Sequence, residues 1–276
     1  MEAKKDLQYW IDLWESHDQK SQNPQEFWDS RADFFNDKVF SGDKIGSPIV
    51  KLLQSKNMLD KDMHVLDIGC GPGKHTLPLA KVVKSITALD ISENMLDKLK
   101  ENMRKTNITN IEPINLDWKD VDVKERNWND TYDLVFASMT PAVFNYDTLK
   151  KMLIASKKHC FLSSFVKRRD LLGDEIQKYI IEKHQVPAKK ADKIYYVFNI
   201  LWQLGYTPEV RYFKRKWEDE MTFDEAYTIY RDNMASLTAL TDQDKGKIKE
   251  ILKQRVVDGR ITEKTEVTQG ILTWEV

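Results

Sequence analysis

Residues 65–73 read VLDIGCGPG, from Val65 to Gly73. The run Met63–Ile68 is short, apolar and partly β-branched, which predicts a buried strand. Past the glycines, Leu77, Leu79, Ala80, Val82 and Val83 suit a helix over 74–84 packed on a sheet, with Pro78 in its first turns. The unit is strand, glycine turn, helix. Such a turn brings bare backbone to a ligand, because glycine has no Cβ and tolerates positive φ. It also sets the unpaired N–H groups of a helix start beside that ligand.

Three glycine patterns compete for this stretch. A phosphate loop needs four residues between its glycines and then Gly-Lys-Ser/Thr, which the chain lacks here. The dinucleotide fingerprint G-x-G-x-x-G would put its third glycine at position 74, where the chain has Lys74. The observed G-x-G-x-G resembles motif I of the class I S-adenosylmethionine-dependent methyltransferases. Their ligand has no phosphate, but its nucleoside and amino-acid tail must lie against bare backbone.

The flanks extend the resemblance. Residues 85–92 predict a second strand ending in Asp90, where a carboxylate can accept from both ribose hydroxyls. The segment ENMLDKLKENMRK predicts a helix with Met95, Leu96, Leu99 and Met103 on one face. Residues 110–118 predict a third strand ending at Asp117-Trp118. Tyr132 to Ala137 predict a fourth, opening into the loop Ser138-Met139-Thr140-Pro141, and residues 159–166 predict a fifth. The resemblance covers about residues 60–165. It implies that Gly69, Gly71 and Gly73 cradle S-adenosylmethionine and that Asp90 holds its ribose. Asp117 would take the adenine amino group, with Ile91, Met95 and Trp118 on the adenine ring. Met95 serves equally as helix core. Asp67 either caps the glycine turn or acts indirectly near the ligand's amino group. Ser138 would meet the cofactor, and Met139 and Thr140 the methyl acceptor. Cys70 reads as a small residue in a tight loop, since no histidine motif activates it.

The segment FWDSRADFF (27–35) resembles an amino-terminal segment that lies over the ligand in small-molecule members of this superfamily. Arg31 could then meet the cofactor's carboxylate through a bidentate pair, and Trp28 could contact the acceptor. Trp10 and Trp14 suit helix packing.

Composition sets bounds. The chain has 276 residues, 41% hydrophobic and 32% charged, with a net charge of −1. That balance supports a solid core and argues against a global basic field for nucleic acid. Two basic clusters, Lys167-Arg168-Arg169 and Lys214-Arg215-Lys216, read as solvated faces interrupted by acids. The two cysteines, Cys70 and Cys160, suggest no disulfide framework and fit a reducing, cytoplasmic compartment. No apolar run approaches membrane-spanning length, the first residues lack a signal-peptide core, and the five histidines show no metal spacing.

The expected architecture is α/β: a Rossmann-like, mainly parallel seven-stranded sheet with helices on both faces. A helical cap comes from the amino terminus and from an insert after the fifth strand. The expected divisions are 1–60 for the amino-terminal helices and 61–166 for the cofactor-binding core. Residues 167–276 supply the insert, with helices broken near Pro187, and the final strands. The expected function is in-line methyl transfer from S-adenosylmethionine to a small-molecule acceptor, yielding S-adenosylhomocysteine, with no membrane or nucleic-acid partner and no metal. An RNA or protein substrate, or a non-catalytic cofactor-binding regulator, are the alternatives. The sulfonium carries the reactive group, so the protein supplies alignment and exclusion of water. That leaves no catalytic residue to name from the sequence.

Overall fold

The computed structural model describes residues 5–18, 24–40, 46–186 and 192–276. The helix break expected at Pro187 lies outside them. The strands are β1 (His64–Ile68), β2 (Ser85–Asp90), β3 (Ile111–Asn115), β4 (Tyr132–Ser138), β5 (Ser156–Asp170), β6 (Glu209–Thr222) and β7 (Arg260–Glu275). The helices are α1 (Leu7–Asp18), α2 (Gln25–Asp29), α3 (Ala32–Phe40), α4 (Gly46–Ser55), α5 (Thr76–Ala80), α6 (Glu93–Thr106), α7 (Tyr146–Ala155), α8 (Leu171–His184), α9 (Lys193–Gln203), α10 (Phe223–Ala235) and α11 (Asp242–Lys253).

The strands form one seven-stranded sheet in the order β3-β2-β1-β4-β5-β7-β6. The pairs β1–β2, β1–β4, β2–β3 and β4–β5 are parallel. The Val276 N–H donates to the Lys158 carbonyl at 2.8 Å, so β7 ends beside the start of β5 and runs antiparallel to it. Central parallel strands are covered on both faces and read as continuous apolar runs. Accordingly every residue of β4 is buried. The strand order reverses between β1 and β4, and the crevice beyond their carboxyl ends is where such sheets bind ligands.

The chain forms two compact units. The first comprises Met1–Ser164, Lys193–Val210 and Ile271–Val276. In it α1 buries Trp10, Ile11 and Trp14 and packs on α9, where Trp10 meets Tyr195 edge-on at 5.4 Å. Both α2 and α3 pack on α6. The Ser92 hydroxyl caps α6 by accepting from Met95 N, and the helix ends at Asn107 in the left-handed region.

Two elements are shorter than their patterns suggest. The helix expected over 74–84 stops at Ala80. The chain must then turn to enter β2, and the amides of Lys84 and Ser85 both reach back to the Met63 carbonyl. The third strand stops at Asn115, because Asp117 instead caps a single 3-10 turn over Trp118–Asp120.

The second unit comprises Phe165–Asp192 and Arg211–Gly270. Its core joins α8, α10 and α11 through Leu172, Ile176, Ile180, Tyr230, Ile248 and Leu252, with Ile261 of β7. The fifth strand runs on to Asp170, past the expected end at 166, so the insert is part sheet as well as helix. No helix among the described residues is long and apolar enough to cross a membrane.

Candidate functional site

The glycine turn leaves the sheet where β1 ends. Gly69 N and Cys70 N both donate to the Leu89 carbonyl, at 2.8 and 2.9 Å, which bends the chain over the end of β2. The three glycines have φ of +69°, +53° and +96°, all in the region that side chains resist. Their surroundings differ. A Cβ on Gly69 would lie 2.1 Å from Thr140 Oγ1, and one on Gly73 would lie 2.6 Å from Leu99 Cδ1. A Cβ on Gly71 would meet nothing within 4 Å. Gly69 therefore admits the loop after β4, Gly73 admits α6, and Gly71 alone of the three faces open space.

Asp90 borders that space. Its Oδ2 accepts from Gly71 N at 2.8 Å and its Oδ1 from Ser92 N at 2.9 Å. Burial pushes its carboxyl up to about 6; the two amides oppose the rise and Asp29 adds to it. Asp67 is buried behind the turn and accepts from Thr76 Oγ1 at 2.7 Å, tying the turn to the first residue of α5. Burial lifts Asp67 to about 7; the Thr76 bond opposes this and the Asp90 charge adds to it. The Cys70 thiol is pushed well above its ordinary value by burial and by both carboxylates, so it stays protonated.

On the β3 side, Asn115 Nδ2 donates to the carbonyls of Asp90 (3.1 Å) and Ile91 (2.8 Å), fixing the end of β2 and the half-buried Ile91. The Asp117 carboxylate accepts from Lys119 N at 3.1 Å and pairs with Lys119 Nζ at 2.7 Å. Trp118 is 2% exposed, and its Nε1 donates to the Thr148 carbonyl at 3.0 Å. Its ring is core beneath α7, so the adenine contact expected of it is not available. Met95 is likewise buried in the core.

After β4, Ser138 and Ser163 share a buried hydroxyl–hydroxyl bond of 2.9 Å. Met139 takes φ +56°, a strained value for a side chain, and its N–H donates to the Ser163 carbonyl. Thr140 is buried over Gly69; its Oγ1 accepts from Ala142 N and its carbonyl from Lys193 Nζ at 3.0 Å. Its hydroxyl is thus engaged with the loop itself.

The segment 27–35 docks on the same edge. Asp29 Oδ1 accepts from Ser92 Oγ at 2.6 Å, and Asn94 Nδ2 donates to the Asp29 carbonyl at 3.3 Å. Asn102, fully buried on α6, donates through Nδ2 to the Pro72 carbonyl (3.0 Å) and to Asn36 Oδ1 (2.8 Å). It thereby joins the glycine turn to α3. Sequence patterning had no means of finding Asn102 or the Asp29–Ser92 pair, since partners 63 and 66 residues away leave no local signal. The Arg31 guanidinium stacks 3.7 Å above the Phe27 ring. Trp28 is half-buried, edge-on to Phe27.

Residues 65–160 match the family model described as a methyltransferase domain. A Haemophilus influenzae protein of uncharacterised role is 33% identical over 150 residues, 52% of this chain and 52% of its own. Ribosomal RNA small subunit methyltransferase A of Wigglesworthia glossinidia brevipalpis is 28% identical over 155 residues, 56% of this chain and 54% of its own. The chain thus spans about half the length of these curated relatives. Phosphoethanolamine N-methyltransferase 2 of Haemonchus contortus, solved with phosphomonomethylethanolamine and S-adenosylhomocysteine, superposes with a TM-score of 0.52 at 15% identity. The match covers 96% of this chain and 59% of that one, and shows the shared fold. Strand order, glycine turn and sequence match agree: residues 65–160 match a methyltransferase domain.

Proposed function

We propose that the chain is an S-adenosylmethionine-dependent methyltransferase acting on a small-molecule acceptor. One observation carries the cofactor reading. Of the three turn glycines only Gly71 opens onto empty space, and the Asp90 carboxylate stands at the rim of that space. A nucleoside ligand fits this donor set: ribose hydroxyls donate to a carboxylate, and bare backbone admits the amino-acid tail. S-adenosylmethionine would supply an electrophilic methyl group. The chain's own residues align and shield. Asp90, ionised above about pH 6, holds the hydroxyls. Ile91 offers an apolar surface beside it. Asp117 accepts from the adenine amino group. The docked segment 27–35 covers the edge with Phe27, Trp28 and Phe35, which excludes water. A general base is required only if the acceptor must lose a proton.

The small-molecule reading is supported by that aromatic edge and by the Haemonchus enzyme, whose acceptor is small. A second reading, an RNA acceptor, is supported by the Wigglesworthia relative and by a groove of the second unit lined by Lys167, Arg169, Lys214 and Lys216. Incubation with methyl-labelled cofactor and fractionated cell extract separates them: label in a nuclease-sensitive fraction excludes the small molecule.

Calorimetry tests the site. Asp90→Ala is expected to cost S-adenosylhomocysteine binding roughly 1.5–3 kcal/mol, the worth of hydrogen bonds to a charged acceptor. Unchanged affinity would remove Asp90 from the site. Hydrogen exchange across 27–36 is expected to slow when S-adenosylhomocysteine is added, because Asn102 and Asp29 couple that segment to the turn and to α6. Exchange that ignores the ligand would leave those helices as external packing.

A further inference from the structure

The second unit carries a basic sheet face that the cofactor reading does not use. Side chains alternate along its strands. On β7 Ile261, Glu263, Thr265 and Val267 are buried, while the residues between them point outward. Of this inward set Ile261 packs in the helical cluster of α8, α10 and α11, and Glu263 accepts from the Tyr230 hydroxyl at 3.0 Å. The outward set on β5 is Phe165, Lys167 and Arg169, and on β6 it is Tyr212, Lys214 and Lys216. Each flanking strand thus presents one aromatic followed, two and four residues on, by two cations. Phe165 is 37% exposed and Tyr212 60% exposed. Between them β7 contributes Glu266 and Thr268, and a groove of about 170 Å³ runs along the cations.

Charge on this face is not balanced. Glu266 pairs with Lys216 and is held below the usual carboxylate range chiefly by that bond, with Arg169 adding. Lys167 and Lys214 pair with no acid among the described residues. Farther out the face changes character: Lys264 pairs with Glu218 at 3.1 Å, and Glu220 follows. The positive end is therefore local and coincides with the exposed rings.

From this juxtaposition we infer that the outer face of β5, β7 and β6 binds single-stranded nucleic acid, with phosphates on Lys167, Arg169, Lys214 and Lys216 and unstacked bases on Phe165 and Tyr212. Cations two residues apart on a strand lie roughly 6.6 Å apart, and β5 and β6 flank β7 at roughly 9.6 Å. A chain of phosphates can thread such a grid, and a flat sheet face with aromatic rings is a stacking platform for bases. A duplex keeps its bases stacked and would leave the rings idle. A lipid surface calls for exposed aliphatic side chains, and the outward positions named on these strands include none. The assignment stands on the second unit alone and holds whether or not the nucleic acid is also the methyl acceptor.

Fluorescence anisotropy of the full chain with labelled oligouridylate and oligothymidylate, across a potassium chloride series, tests it. Saturable binding is expected, weakening with salt at a log–log slope of roughly −2 to −3, since each neutralised phosphate of a single strand contributes about −0.7. Lys167→Glu with Lys214→Glu should weaken binding at least about tenfold and flatten the slope by about 1.4. Phe165→Ala with Tyr212→Ala should weaken binding about tenfold or more while leaving the slope unchanged. The RNA and DNA arms say which sugar is preferred. Both double variants should keep the wild-type unfolding midpoint and S-adenosylhomocysteine affinity, so failure here is distinct from failure of the cofactor reading. Should the charge reversal fail to fold, Lys167→Gln with Lys214→Gln replaces it. Absence of binding at the lowest salt, indifference to the charge variant, or indifference to the aromatic variant would overturn the inference. So would stronger retention on phosphatidylserine vesicles than on either oligonucleotide.

Discussion

Gly69→Ala is expected to destabilise the first unit severely, whereas Gly71→Val should leave it folded and abolish S-adenosylhomocysteine binding. The two glycines share a turn and a positive φ, so strain alone does not separate them. At Gly69 the new Cβ would fall 2.1 Å from Thr140 Oγ1 and 2.7 Å from Thr140 Cβ. Thr140 cannot retreat freely, because its carbonyl accepts from Lys193 and its hydroxyl from Ala142 N. Left-handed strain of about 1–2 kcal/mol and overpacking of about 1–3 kcal/mol then act together. The expected loss is roughly 2–5 kcal/mol, a large share of a typical domain's stability. At Gly71 the side chain meets no protein atom within 4 Å, so only the backbone strain is felt, roughly 1–3 kcal/mol for a branched residue. The valine would occupy the space assigned to the ligand. Gly71→Ala, smaller and less strained, separates filled space from altered backbone: it should weaken binding about 10–100-fold, some 1.4–2.8 kcal/mol. Denaturant melts and calorimetry on the three variants check this. A folded, ligand-binding Gly71→Val protein would place the cofactor elsewhere.

That contrast marks the reach of the sequence. G-x-G-x-G announces a turn, and the apolar runs around it announce β1, β2 and β4, because central parallel strands leave uninterrupted hydrophobic stretches. It does not announce which glycine serves a ligand and which serves packing; that depends on Thr140 and Leu99, far along the chain. The strands that carry Asp67 and Asp90 were legible from their apolar runs. Trp118 was misjudged because an apolar residue after a strand reads alike whether its ring faces a ligand or plugs a core, and the Thr148 carbonyl that claims its N–H lies 30 residues on. The basic clusters looked like solvated faces because each is interrupted by acids in sequence. Asp170 is buried on the other side of the sheet and Glu218 and Glu220 lie farther along β6, while strand pairing collects Lys167, Arg169, Lys214 and Lys216 on one side.

Asp67→Asn is expected to make the unliganded protein more stable at pH 8 than the wild type, and to bring no such gain at pH 5. Asp67 titrates at an ordinary 3.8 when exposed and at about 7 in the fold, mainly through burial. Between those values the native state holds a proton that the unfolded chain has released. Its stability contribution therefore falls as pH rises through that window, and the full cost of the buried charge is present above about pH 7. The distance from 3.8 to about 7, at about 1.36 kcal/mol per pH unit, bounds that cost at roughly 4 kcal/mol. Asparagine removes the charge and keeps an acceptor for Thr76, but its amide nitrogen needs a partner of its own, which returns about 1–3 kcal/mol. The expected net gain at pH 8 is roughly 1–3 kcal/mol. Asp67 still holds its proton where Asp90 titrates, so the variant should leave the Asp90 carboxyl at about 6. Urea denaturation of both proteins at the two pH values reads the first effect. The pH dependence of S-adenosylhomocysteine affinity reads the second: binding through ionised Asp90 should weaken below about pH 6 in the wild type and in the variant alike. A wild-type protein as stable at pH 8 as at pH 5, with Asp67→Asn tracking it, would mean that the carboxyl behind the turn is reached by water and that its charge costs the fold nothing.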